Sequence, residues 1–228
     1  MKKRRIFRNL NDKEFAWVLY DVGNSAYTML ACALIPIWFK AMAIGTKPGQ
    51  LTSDRATAYY SMAIAVITIV VALLGPVCGA ISDYKGMKKI FFTSTVAVGV
   101  CGCILNGFAC QWIVFLLLFA ATKIFYNMSL MFYDSMLNDI TTEERMDEVS
   151  SYGYAWGYLG SCIPFLIALV AYVLGPDMAG IISGKLSMAI GFAVTGLWWL
   201  LVTVPLIKNY KQINYVEKKE HAVGSAFR

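Results

Sequence analysis

Charged side chains are scarce in this sequence, since Asp, Glu, Lys and Arg make up only 15% of its 228 residues. A soluble domain usually carries about 25%, so this deficit argues against a soluble globule. The hydrophobic share of 58% excludes a disordered chain, because so apolar a polypeptide must bury its side chains. A helix that crosses a bilayer needs ~20 mostly apolar residues. Six such helices with short loops would use nearly all of the chain, which predicts an all-α, multi-pass membrane protein.

Histidine is almost absent as well, because the chain has only His221, which lies in its polar tail. The sequence also lacks an Asp-rich metal motif and a G-x-S-x-G nucleophile turn. The six cysteines lie in or beside apolar runs, a placement unlike an extracellular disulfide framework, and they fit small packing residues. We therefore expect no enzyme activity, no cofactor and no resident metal.

Six apolar stretches are separated by helix breakers such as glycine and proline, and they predict six transmembrane helices. We predict a basic N-terminus over 1–14, a transmembrane domain over 15–207 and a polar, loosely ordered tail over 208–228. The predicted spans are 15–43, 57–82, 89–109, 112–138, 149–174 and 184–207.

Basic residues are distributed unevenly between the two sides of the predicted bundle. With six spans both termini share a side, and that side holds 15 of the 20 Lys and Arg residues. This bias predicts cytoplasmic termini, in the cell membrane if the source is prokaryotic. The net charge of +6 is therefore better explained by membrane topology than by nucleic-acid binding. The acidic loop 139–148 departs from the bias, and Thr141 or Thr142 is expected to cap a short helix there.

Polar residues recur at helical spacing inside the first and fourth spans. Ionisable groups in lipid are costly, so we expect these stripes to face water or protein. Two polar stripes predict a hydrated cavity between the helices, although the groups could instead bond one another inside the bundle. The substrate-cavity candidates are Asp21, Asn24, Ser25, Thr28, Lys123, Asn127, Tyr133 and Asp134.

Lys123 is the most unusual of these candidates, because it lies near the middle of its span. It could attract a carboxylate substrate or act as the partner of Asp21. Asp21 lies about two turns inside the membrane and Lys123 about four. That difference in depth argues against a direct pair, and a water or a substrate would have to span the gap.

The fifth span carries glycines three and four positions apart, at Gly153, Gly157 and Gly160. Small residues at this spacing let helices approach closely, so we expect a packing face. Its tyrosines, which include Tyr154 and Tyr158, are expected to alternate around the helix rather than form a cage.

The stretch from Gly79 to Lys89, GAISDYKGMKK, lies between the second and third spans. We call it the signature loop, because it resembles the cytoplasmic signature loop of the major facilitator superfamily. Gly79 would allow close helix contact, and Asp83 would bind a neighbouring helix N-terminus. Gly86 would permit the tight turn, while Lys88 and Lys89 would anchor at the anionic membrane surface. The loop departs from the family's pattern at Tyr84 and Met87, where basic residues are common.

Two further stretches narrow the resemblance. Residues 17–27, WVLYDVGNSAY, look like the opening helix of the vacuolar amino-acid effluxer family linked to autophagy and its bacterial relatives. Several groups of residues between 132 and 160, including FYDS and GYLG, resemble that family's fourth-to-fifth-helix region. The resemblance implies alternating-access transport, with amino acids as the suggested substrate class. It also implies two six-helix halves, each with inverted three-helix repeats that make the first and fourth spans equivalent.

The combined expectation is the N-terminal half of a secondary transporter for a small polar solute. Its expected partners are the lipid bilayer, a small-molecule substrate and a second six-helix half, which is either another copy or a separately encoded chain, unless this chain is a fragment. Two alternatives stay open. One is a membrane enzyme with Asp134 and Asp139 as metal ligands, and the other is an assembly or regulatory subunit that transports nothing.

Overall fold

The computed structural model describes residues 9–176 and 178–217. Five of its helices are long and apolar enough to cross a membrane, and the pair α1 and α2, bent by 40° at its break, meets the same criteria when counted as one span. The all-α membrane fold predicted from composition is therefore confirmed. The helices are α1 Asp12–Ala33, α2 Ile35–Ala43, α3 Ser53–Ser82, α4 Met87–Asn106, α5 Trp112–Ile140, α6 Met146–Val173 and α7 Gly184–Asn209, with a 3₁₀ turn at Glu143–Arg145 before α6.

Local residue types explain where the first helices start and stop. Asn11 caps α1 in a capping box, in which its side chain accepts from backbone N–H groups and Glu14 reaches back to its own N–H. The first span divides at Leu34, just before Pro36 in the first turn of α2. Proline has no N–H to bond to the preceding turn, which favours a break at that point. Thr52 caps α3, so this helix starts at Ser53, four residues before the predicted span.

The packing partners of the helices follow the symmetry expected of inverted three-helix repeats. The contacts of α1 are most extensive with α6 and α7, while α5 packs mainly on α4 and α3. If the bent α1–α2 pair counts as one span, the first span packs on the fifth and sixth, and the fourth span packs on the second and third. Exchanging the first three spans with the last three therefore turns one set of contacts into the other. The helices α1 and α5 are therefore equivalent positions in the two repeats.

Aromatic rings fill the centre of the bundle. The ring of Tyr27 lies 4.9 Å from that of Tyr126 and 5.8 Å from that of Trp199. On the outer faces, by contrast, apolar side chains such as Leu73 and Leu166 are exposed. Exposed apolar faces on long apolar helices suit contact with lipid chains.

Three glycines allow α6 to lie close against α1. A Cβ built on Gly153 would come within 2.9 Å of the Trp17 ring, and one on Gly160 within 2.4 Å of a Val22 methyl. At Gly157 the nearest atoms are Asp21 Oδ2 and Ser25 Oγ, both 3.0 Å away. The glycine face predicted from spacing thus lies against the polar stripe of α1.

Candidate functional site

A pocket of about 300 Å³ lies between α1, α5 and α6. We call it the polar pocket. Its lining combines two carboxylates, several hydroxyls, an amide and aromatic rings. The lining residues are Trp17, Asp21, Asn24, Ser25, Thr28, Met29, Tyr126, Leu130, Tyr133, Asp134, Leu137, Ser150, Tyr154 and Tyr158.

Six of the eight cavity candidates line the polar pocket together. They come from α1 and α5, the two helices that the repeat symmetry makes equivalent. Lys123 and Asn127 are not among the lining residues, so the structure does not unite the whole α5 stripe with the α1 stripe. The six are Asp21, Asn24, Ser25, Thr28, Tyr133 and Asp134.

Lys123 lies against aromatic rings instead of in the polar pocket. Its Nζ is 4.6 Å from the ring centre of Tyr126 and 5.7 Å from that of Tyr27. These are cation–π distances, and such contacts offset part of the cost of an ammonium at membrane depth. Within the described residues Lys123 forms no ion pair, and so it is not the partner of Asp21.

The two carboxylates give the polar pocket a negative character. Asp21 is half-buried on α1 and accepts a hydrogen bond from Asn24 Nδ2 at 3.2 Å. Asp134 is exposed, and across 9–176 and 178–217 it has neither a hydrogen bond nor an ion pair. The lining contains no Lys, Arg or His side chain. An occupant of this pocket therefore meets carboxylates without a competing cation on the same wall.

Aromatic contacts fix the wall on which the carboxylates lie. Trp17 Nε1 donates to the Tyr133 carbonyl at 3.2 Å, and the two rings stack with centres 4.3 Å apart. The hydroxyl of Tyr133 is buried, and no described residue pairs with it. Farther along α1, the hydroxyls of Thr28 and Tyr126 are 2.5 Å apart. These contacts join α1 to α5, and the wall retains one polar atom with unused hydrogen-bonding capacity.

The α6 side of the polar pocket corrects the interpretation of the fifth-span tyrosines. Ser150, Tyr154 and Tyr158 are four positions apart and all line the pocket, so they share one face of α6. The spacing was visible in the sequence, but it was obscured by Tyr152 and Trp156, which interleave with these residues. Sequence reasoning also missed Trp17 and Met29, whose apolar character gave no sign of a site.

The signature loop differs in part from expectation. Gly86 adopts a positive φ of 78°, which supports the tight turn before α4. Asp83 forms an ion pair with Lys88 at 3.5 Å and does not cap α4. Lys88 is buried and also donates to the Ser135 carbonyl at 3.5 Å, so it is not a surface anchor. A Cβ on Gly79 would have no described atom within 4 Å, so this glycine makes no close helix contact.

Residues Tyr210–Val216, which we call the strap, cross the same face of the bundle as the signature loop. Asp139 accepts from the Tyr210 hydroxyl at 2.5 Å and from the backbone N–H of Asn214 at 2.8 Å. Gln212 bonds the signature loop, because its Oε1 accepts from the Gly86 N–H at 2.9 Å. The loosely ordered tail expected from residue 208 is therefore wrong for the strap, whereas residues 218–228 lie outside the described residues.

Tyr210 of the strap and Lys89 of α4 have specific electrostatic surroundings. Burial, together with the neighbouring Asp139 carboxylate, raises the pKa of Tyr210 above its ordinary value. Lys89, the second predicted surface anchor, is half-buried and donates to the Tyr210 carbonyl at 3.4 Å. Asp139 is thus engaged by the strap while Asp134 lines the polar pocket. Among the described residues no group of three or more His, Cys, Asp or Glu side chains could hold a metal.

An ion pair joins the start of α1 to the turn before α6. Arg145 donates to both carboxylate oxygens of buried Glu14, each at 3.1 Å, and to the Asn9 carbonyl at 2.7 Å. Thr141 donates to Glu14 at 2.8 Å, and Thr142 makes no side-chain cap bond. Thr142 thus occupies the N-cap position of the expected short helix without a side-chain cap bond, and Thr141 is used in the contact with α1.

Comparison with known proteins agrees with this architecture. The family described as "Vacuole effluxer Atg22 like" matches residues 138–227. An uncharacterized MFS-type transporter, YxiO of Bacillus subtilis (strain 168), is 34% identical over 226 residues, or 98% of this chain. The chain is thus similar over nearly its whole length to a major facilitator transporter, and its residues 138–227 match the Atg22-like family. It spans about half the length of that relative, 52% of which is covered. No solved structure matches the chain.

Proposed function

We propose that this Atg22-like chain forms one wall of the substrate path in a secondary transporter. The observation that carries the proposal is the polar pocket itself. Residues from α1 and α5, the equivalent helices of the two repeats, line it at membrane depth. In major facilitator proteins the substrate site lies near the midplane at the interface of such repeats. The proposed cargo is a small polar solute, a class that includes amino acids.

A second six-helix unit completes the path in this proposal. Asp134 is exposed in the described chain, and a carboxylate at this depth requires protein or water rather than lipid. Covering this side with a second unit would enclose the carboxylate in a hydrated cavity. Rocking of the two units against each other would then open the cavity to alternate sides of the membrane. The second unit is a further part of the same protein, another copy of this chain or a separately encoded chain.

The strap and the signature loop would form the cytoplasmic side of the transporter. The distribution of Lys and Arg supports this orientation, since the signature loop and both chain ends fall on the basic side. We propose that Gly79, Asp83, Gly86, Lys88 and Lys89 belong to the gate on this side. The bonds from Gln212 to the loop would make the strap move with it.

Solute content of expressing cells tests the proposal. The chain is produced in wild-type form and as Asp21→Asn, Asp134→Asn and Lys123→Met, and intracellular solutes are quantified by mass spectrometry. Glu144→Gln is the matched control, because it removes an exposed carboxylate that does not line the pocket. We expect the intracellular level of at least one small polar solute to differ from that in empty cells when wild type or the control is expressed.

Asp21→Asn and Asp134→Asn should abolish this difference in solute level when they are expressed as well as wild type. Lys123→Met should have a weaker effect, because Lys123 does not line the pocket. Identical solute levels in wild type, both pocket variants and empty cells would contradict the transport proposal. Such a result would favour an assembly or regulatory subunit.

A further inference from the structure

We infer that this wall of the polar pocket recognises its solute through a protonated amine and supplies no partner for a solute carboxylate. This inference rests on the proposed function and assigns the substrate class of the same pocket. It follows from the charges on the wall, from one unpaired hydroxyl, from the aromatic faces and from the position of Lys123.

The charge of the wall is the first step. Asp21 and Asp134 both line the polar pocket, and the lining contains no basic side chain. A solute carboxylate would meet repulsion from two acidic groups, while an ammonium would be attracted by both. At membrane depth such interactions are screened less than at a surface. The wall therefore selects positive charge.

The hydroxyl of Tyr133 is the second, independent step. It is buried at the polar pocket, and among the described residues it has no hydrogen-bond partner. Buried hydroxyls nearly always have a hydrogen-bond partner. A buried hydroxyl without a partner has lost its bonds to water without compensation, so a bound group that donates to it gains affinity. A solute that opens the packing around this oxygen meets an acceptor that no described residue uses, and an ammonium has up to three N–H donors to offer it.

Aromatic rings supply the third step. Trp17, Tyr126, Tyr154 and Tyr158 all line the same pocket, and the faces of such rings attract cations. The combination of carboxylates with aromatic walls suits an ammonium that carries an apolar body. The volume of about 300 Å³ restricts that body to a small one.

Lys123 is too distant to hold the carboxylate of a bound amino acid. It precedes Asp134 by eleven positions on α5, which corresponds to roughly 16 Å along the helix. The amine and carboxylate of an α-amino acid are attached to one carbon, so they cannot reach both residues at once. The ammonium of Lys123 is, in addition, held by the rings of Tyr27 and Tyr126. This wall thus has an amine site without a matching carboxylate site.

Thermal unfolding of the purified full chain in detergent tests the inference, since a ligand that binds the folded state raises Tm. The probes are butylammonium, alaninamide, alanine and butyrate at equal ionic strength and pH 7. We expect butylammonium and alaninamide to raise Tm at least as much as alanine does, and butyrate to have no effect.

Variants locate the effect in the pocket. Asp134→Asn and Asp21→Asn should each weaken butylammonium binding at least tenfold, and Tyr133→Phe a few-fold. Asp134→Glu keeps the charge and should bind within a few-fold of wild type, which guards against a variant that merely misfolds. Glu144→Gln should leave binding unchanged.

Three outcomes would overturn the inference: no response to butylammonium at millimolar concentration, a response to alanine but not to alaninamide, or undiminished binding in Asp134→Asn. Failure of the proposed function is distinguishable, because it would appear as unchanged solute levels in the expressing cells. If wild type changes those levels while butylammonium does not bind, only the substrate class is wrong.

Discussion

Trp17 and Tyr133 join the two repeats at the polar pocket through both a hydrogen bond and a ring stack. The indole Nε1 donates to the Tyr133 carbonyl at 3.2 Å, and the rings are nearly parallel, with 14° between their planes. The indole also lies beneath Gly153 of α6. One side chain of α1 therefore contacts both other helices of the pocket.

Trp17→Ala should destabilise the bundle strongly, because it removes a buried aromatic ring and leaves a cavity among three helices. Losses of ~3–5 kcal/mol are typical for such a change. Trp17→Phe should cost less, since it keeps a ring for stacking and loses mainly the hydrogen bond. Unfolding titrations in mixed detergent micelles measure both. Equal stability of wild type and Trp17→Ala would show that this contact does not hold the helices together.

Gly160→Ala tests the close approach of α6 to α1. The added Cβ would lie 2.4 Å from a Val22 methyl, which forces a shift that costs roughly 1–3 kcal/mol. The double variant Gly160→Ala/Val22→Ala should recover most of the loss, because the colliding methyl is gone. Gly79→Ala is the matched control with open space around its Cβ. The packing account fails if Gly160→Ala and Gly79→Ala have the same Tm in detergent.

Much of the fold could be predicted from the sequence, because apolar runs of membrane-spanning length leave few alternatives to helices. The predictions that failed concern a break within the first span and the segment after the last helix. The polar residues within 15–43 recur at helical spacing, so the run indicates a single span, yet the helix divides at Leu34, just before Pro36. The strap also gave no apolar signal, since its order depends on hydrogen bonds between distant residues such as Asp139 and Asn214.

The candidate site was only partly predictable for a related reason. Helical periodicity places Lys123 and Asp134 on one face of α5, but it says nothing about which length of that face meets α1 and α6. Packing decides this, and it sets Lys123 against aromatic rings. Packing also decides the role of Tyr154 and Tyr158, because Gly153 and Gly157, each one position before a tyrosine, let α6 lie close to α1.

Arg145→Met should destabilise the contact between α1 and the turn before α6. The change leaves Glu14 buried and deprived of its two bonds from the guanidinium. Loss of one partner of a buried pair costs about 3–5 kcal/mol, and partial exposure of Arg145 reduces the expectation to roughly 1–3 kcal/mol. Glu14→Gln/Arg145→Met should recover part of the loss in the same unfolding assay. A double variant no more stable than Arg145→Met would contradict the ion-pair explanation.

Tyr210 should make stability depend on alkaline pH. Its pKa in the folded chain is raised by burial and by the Asp139 carboxylate, whereas the unfolded phenol ionises at about pH 10. The contribution is therefore complete below pH 10 and is lost as pH rises above it, because only the unfolded state then releases the proton.

Tyr210→Phe isolates this contribution, since Phe cannot ionise. Between pH 9 and pH 11 the Tm of wild type should fall more steeply than that of Tyr210→Phe. Parallel curves would contradict the proposed bond from Tyr210 to Asp139, whereas Lys89→Met, which leaves that bond in place, should retain the steep fall.

Accessibility of the polar pocket to water is the central claim, and cysteine labelling in membranes measures it most directly. Ser25→Cys and Thr28→Cys are introduced one at a time into a version without native cysteines. Leu73→Cys and Val66→Cys, on the exposed apolar face of α3, are the controls. We expect a charged methanethiosulfonate reagent to modify both pocket cysteines and neither control. Pocket cysteines that remain unmodified while the α3 cysteines react would contradict the account.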